Sequence, residues 1–70
     1  MNDGWIRQQD GSHRANGRYV WVEVRQARDT FFVVSGGAMR GGAHRSLESA
    51  KASALTWLAL LDDVHRPAEH

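Results

Sequence analysis

Arg18-Tyr19-Val20-Trp21-Val22-Glu23-Val24-Arg25 decides the fold class. Tyr19, Trp21, Glu23 and Arg25 fall on one side of an extended chain, and Val20, Val22 and Val24 on the other. A period of two, carried by aromatic and β-branched residues, marks a strand with one covered face and one open face. The three valines need an apolar layer against them, and the rest of the chain must supply it.

Upstream, Gly4 to Gln9 reads as a short strand anchored by Trp5 and Ile6. Ile6 is expected to point inward, with Trp5, Arg7 and Gln9 outward. Asp10-Gly11 and Asn16-Gly17 are turn signals, because these residue types tolerate positive φ. Between them, Ser12 to Ala15 is either a strand extension or a loop.

Downstream, Gln26 to Asp29 reads as a hairpin turn, and Thr30 to Ser35, β-branched and aromatic, as a third strand. Phe31 or Phe32 joins the open face, depending on register. Gly36 to Gly42 spells Gly-Gly-Ala-Met-Arg-Gly-Gly, a mobile loop or the tip of a longer hairpin, with residues 43–45 as a candidate short fourth strand. Ser46 is a good helix N-cap, and Glu48 suits the first turn of a helix. At 100° per residue, Leu47, Ala50, Ala54, Trp57, Leu58, Leu61 and Val64 form one stripe. Pro67 stops any continuation.

The expected architecture is α+β: a three-stranded antiparallel sheet packed on one C-terminal helix, with a short fourth strand as an alternative. One domain fills residues 1–70, with the sheet over about 4–35, a glycine-rich loop over 36–45, the helix over about 47–64 and a frayed tail over 65–70. A chain of 70 residues buries only about 60% of the surface its unfolded form exposes, so its stability is marginal. With no cysteine, neither a disulfide nor a thiolate metal site reinforces it.

The formal net charge is +1, low for an autonomous nucleic-acid binder, but it is unevenly spread. Residues 1–45 carry a balance of +3 and residues 46–70 a balance of −2. Eight of the nine basic residues are arginine, whose planar fork suits carboxylate or phosphate. No apolar run approaches the ~20 residues of a membrane span. Met1 to Trp5 has no basic segment leading into an apolar one, so no signal peptide is expected and the chain is read as cytoplasmic.

Catalytic constellations are missing from the sequence. His13, His44, His65 and His70 lack metalloprotease spacing and structural-zinc spacing. Asp10, Ser12 and His13 are the residue types of a nucleophilic triad, but near neighbours on one turn do not adopt its relay geometry. The glycine segment 36–42 lacks the Gly-Lys-Ser/Thr ending of a phosphate loop. No metal and no cofactor is expected.

The open sheet face is the candidate binding surface. Trp5, Arg7, Tyr19, Trp21 and Arg25 are expected there, with Arg14, Arg18 and Arg28 at its rim. Aromatic residues and arginine are the types enriched at interface hot spots and nucleic-acid platforms. The bland alternative is a small second core, with Trp5 and Trp21 under the N-terminal segment or the glycine loop. On the helix, Leu55 falls near Ala52 and Ala59, either as scattered surface residues or as a self-association face. Asp62 and Asp63 sit where the helix dipole disfavours them; they are solvated, paired with an arginine, or a small acidic contact site.

The strand-strand-strand-helix order, with Gly17-Arg18-Tyr19-Val20-Trp21-Val22-Glu23-Val24 and then His44-Arg45-Ser46-Leu47-Glu48-Ser49-Ala50-Lys51, resembles AP2-type and integrase arm-type DNA-binding domains. That resemblance implies a sheet lying on duplex DNA. In size and in its open aromatic face, the chain is also similar in type to small phage-encoded anti-CRISPR proteins. That resemblance implies occupation of a surface on a nucleic-acid-handling complex. The expected function is a non-enzymatic interaction protein, phage or mobile-element encoded, that binds and blocks a host protein or nucleoprotein complex. A direct DNA-binding module and a small dimerisation domain are the alternatives.

Overall fold

The structure is a computed structural model and describes residues 4–67. Asp3, Glu69, His70 and the end of the tail expected to fray lie outside the described residues.

Five strands and one helix follow one another: β1 (Trp5–Arg7), β2 (His13–Asn16), β3 (Trp21–Ala27), β4 (Thr30–Ser35), β5 (Ala38–His44) and α1 (Leu47–Val64). The strands form one antiparallel sheet in chain order, and α1 packs on one of its faces. The α+β class with a C-terminal helix is as expected, but the sheet has five strands where three, with a short fourth as an alternative, were expected. The region Ser12 to Ala15 supplies one of the added strands. The other comes from the segment read as a loop over 36–45.

That second difference has a local cause. Gly36 and Gly37 both have positive φ, 61° and 77°, the requirement of the tightest two-residue hairpin turn. Ser35 then pairs with Ala38, Val34 with Met39 and Val33 with Arg40. Between Val33 and Phe31 the register slips, because Gly41, Gly42 and Ala43 together oppose Phe32 before His44 meets Phe31. The result is a bulge on an edge strand, which bends that edge away from further pairing.

The core is small and made of small residues. Val22, Val24 and Val33 are fully buried, as are Ala50 and Ala54 of α1, with Ala15 beside them. Alanines at the helix contact let α1 sit close to the sheet. Each buried valine contributes about 1.5–3 kcal/mol relative to exposure. Trp5, Phe31, Leu47, Trp57 and Leu58 close the perimeter. Val64, expected in the buried stripe, is 71% exposed.

Helix α1 starts where Ser46 accepts a hydrogen bond from the Ser49 amide at 3.1 Å. Its other end is tied down from within. The Asp62 carboxylate accepts the backbone N–H groups of Arg18, Tyr19 and Val20 at 3.2, 2.6 and 3.1 Å. Those three amides are therefore unavailable to the sheet, and β3 begins at Trp21 instead of Arg18. Gly17 permits the approach: a Cβ there would lie 2.8 Å from Asp62 Oδ1 and 2.9 Å from Leu58 Cδ1. No helix among the described residues is long and apolar enough to cross a membrane.

Candidate functional site

Register and strand alternation sort the side chains onto two faces. Pairing of Ile6 with Arg14, Arg14 with Glu23, Asn16 with Trp21, Glu23 with Val34, Arg25 with Phe32 and Val34 with Met39 places all of these on the face that α1 leaves open. Trp5, by contrast, pairs with Ala15 and packs on the helix side. There its ring lies 5.3 Å from Lys51 Nζ.

The orientation of β1 is thus the reverse of that expected. Ile6 is on the open face, 51% exposed, while Trp5 and Arg7 alternate onto the other. Three residues carry no usable periodicity, and burying an indole removes more apolar area from water than burying an isoleucine. The same register selects Phe32 for the open face and Phe31 for the core perimeter. Trp5 and Trp21 lie on opposite faces, so the second core that would have joined them does not form.

The centre of the open face is a stacked pair. The Arg14 guanidinium lies 4.3 Å from the centroid of the Trp21 ring, and Arg14 Nε donates to Asn16 Oδ1 at 3.1 Å. Ring and amide together hold the arginine over the indole. Arg14 was expected at the rim. Its central role depends on β2 being a strand paired with β3, which a four-residue stretch does not announce.

Beside the stack runs a polar chain. Glu23 is only 6% exposed although it is on the uncovered face. A buried carboxylate needs compensating donors, and Gln8 Nε2 at 3.1 Å and Arg25 Nε at 3.3 Å provide them, with Arg25 also bridging to Glu23 at 3.2 Å. Gln8 Nε2 also donates to Ser12 Oγ at 2.8 Å, and the Ser12 hydroxyl donates to Asp10 Oδ1 at 2.6 Å. The Ser12 hydroxyl, helped by the Ser12 amide at 2.9 Å, holds the Asp10 carboxyl below its ordinary pKa. The Asp10–Ser12 contact thus closes the β1–β2 turn, and His13 alternates onto the helix side.

The other expected site residues are dispersed. Arg18 and Tyr19 sit in the β2–β3 loop beside the last turn of α1, the guanidinium 5.6 Å from the Tyr19 ring. Arg28 is in the β3–β4 turn at the opposite end of the sheet. Asp62 and Asp63 do not form a common acidic patch. Asp62 is engaged by loop amides, foremost that of Tyr19, which hold its pKa below the ordinary aspartate value. Asp63 pairs with Arg66 at 3.5 Å in solvent. Ala52, Leu55 and Ala59 are all exposed on α1, Leu55 by 49%. Among the described residues, no three His, Cys, Asp or Glu side chains gather as a metal site.

The chain matches no protein-family model, no curated protein and no solved structure.

Proposed function

We propose that the protein is a non-enzymatic interaction module, of the phage or mobile-element inhibitor type. It binds and blocks a host nucleic-acid-processing complex by docking the open sheet face on an acidic, partly apolar protein surface. The observation that carries this reading is the Arg14–Trp21 stack at 4.3 Å. An arginine fixed over an indole gives up little side-chain entropy on binding and presents both its donors and an apolar plane. Around it stand Ile6, Phe32, Val34 and Met39, the last 60% exposed. Among the described residues, Glu23 is the one carboxylate carried by the strands of this face, and Gln8 and Arg25 already occupy it; Asp10 stands at the end of the face, in the β1–β2 turn, held by Ser12. The face therefore meets a partner as cationic and apolar together, a composition matched by an acidic protein surface with apolar patches.

The test is capture from nuclease-treated bacterial lysate with tagged protein. The expected result is a stoichiometric protein partner, lost with the Arg14→Ala/Trp21→Ala double variant and retained with Leu55→Asp on the outer helix face. Each hot-spot truncation typically costs about 2 kcal/mol or more. If the double variant captures the partner as well as wild type, the face is wrongly assigned.

Direct duplex binding is the second reading, favoured by the arginine excess of the sheet half. It requires recovered nucleic acid and an affinity that falls steeply with salt through counterion release. Loss of self-association in the Leu55→Asp variant would instead point to the helix face as a dimer contact.

A further inference from the structure

At one end of the open face the β1–β2 turn and the β3–β4 turn enclose an open pocket of about 480 Å3, lined by Asp10, Ser12, Arg25, Gln26, Arg28 and Phe32. We propose that this pocket receives a carboxylate side chain of the docking partner, forked by Arg25 and Arg28 and seated against Phe32. The proposal rests on the docking reading above and gives it a specific anchor.

Three observations support it. The first is that Arg25 lines the pocket, its guanidinium held in place by Glu23 and, adding to the Ser12 hydrogen bonds, close enough to Asp10 to favour the charged carboxylate. Its bonds to the buried Glu23 use Nε and one terminal nitrogen, and a guanidinium has five N–H donors, so donors remain for a second acceptor. The second is the backbone of Arg28. Its φ is +59°, and it is the only non-glycine with positive φ among the described residues. Position 28 opens a two-residue turn between Ala27 and Thr30, where glycine or asparagine would be the unstrained choice. Gln26 Nε2 donates to the Arg28 carbonyl at 2.7 Å and secures the turn. An arginine in this conformation costs stability, and this one lines the pocket. Strain of this kind collects where a side chain has work to do.

The third observation decides between anions. Asp10 also lines the pocket, ionised and fixed by the Ser12 amide and hydroxyl. Its charge opposes a multiply charged phosphate more than a singly charged carboxylate. It also offers an acceptor to a peptide N–H neighbouring that carboxylate.

The experiment is amide chemical-shift titration of the full chain with N-acetyl-glutamate amide, N-acetyl-glutamine amide and inorganic phosphate, on wild type and Arg28→Gly. The expected result is saturable shifts at Ser12, Arg25, Arg28 and Phe32 with the glutamate probe and none with the neutral one. Arg28→Gly should weaken the glutamate probe by about tenfold, the loss of a charge-assisted fork. Because glycine relieves the positive φ, the variant should melt at the same temperature or higher, so lost binding is not lost folding. An absent saturable shift, equal affinity in Arg28→Gly, or tighter binding of phosphate than of the glutamate probe overturns the proposal. If the pocket fails while partner capture still depends on Arg14 and Trp21, the docking face stands without this anchor. If both fail, the docking reading falls with it.

Discussion

Gly41 and Gly42 are adjacent on the bulged edge strand, and replacing each by alanine separates backbone strain from loss of flexibility. Gly41 has φ +76°, and a Cβ there would lie 3.2 Å from Trp57 Nε1. An L-residue in the left-handed region costs about 1–2 kcal/mol, and the indole must in addition give way by a few tenths of an ångström. Gly42 has no positive φ and nothing within 4 Å of the added atom. There alanine only restricts the unfolded chain, which stabilises by about 0.4–1 kcal/mol when the native conformation is compatible. The two variants should therefore differ by roughly 1.5–3 kcal/mol, Gly41→Ala below wild type and Gly42→Ala at or above it. In a domain of this size each 1 kcal/mol moves Tm by about 4–8 °C. Thermal and urea unfolding followed by far-UV circular dichroism will resolve such a gap. Equal melting of both variants, or a Gly41→Ala protein as stable as wild type, would refute the bulge geometry and the close passage of Trp57.

Two further outcomes follow from the core and from the helix clasp. Val33→Ala removes two methyl-sized groups from a fully buried site and should cost about 2–3 kcal/mol, transfer plus cavity, read as a lower urea midpoint with an unchanged slope. Asp62 and Asp10 have folded pKa values below their ordinary ones. Their stabilising contribution is therefore complete above the unfolded aspartate pKa of about 3.9 and is lost as pH falls through the folded values. Stability measured across this acid range should decline toward low pH. Asp62→Asn should be less stable at neutral pH and show a shallower decline. An unchanged acid limb in that variant would exclude the clasp as a contributor.

The sequence made some elements legible and hid others, for reasons that particular residues show. The valine alternation of β3 and the Ser46 cap with its apolar stripe each repeat a period often enough to stand out, and both elements are present. β1 has three residues and no period, so its facing was settled by the burial of Trp5 and was misread. β5 contains Ala38, Gly41, Gly42 and Ala43, which lack strand propensity; it exists because β4 offers it a ladder and Gly36-Gly37 turns the chain back. Within the candidate site, Trp21 and Arg25 were legible from alternation alone. Arg14 was not, since its partner across the strands becomes visible only with the register. Asp62 was recognised as anomalous at a helix C-terminus, but three backbone amides more than 40 residues away cannot be inferred from neighbouring side chains.

A sheet in chain order is assembled from hairpins, and each needs only a short loop to close. Contacts of that kind form early, because little chain entropy stands against them. The Asp62 clasp is of the opposite kind, joining the last turn of the helix to the loop before β3. It forms only when α1 has the right rotation and the right axial position over the sheet, so it reports completed docking. In a folding experiment Asp62→Asn should therefore speed unfolding and leave the folding rate nearly unchanged. The carboxylate would then act as a latch on a finished structure, setting how long the native state persists more than how it is reached.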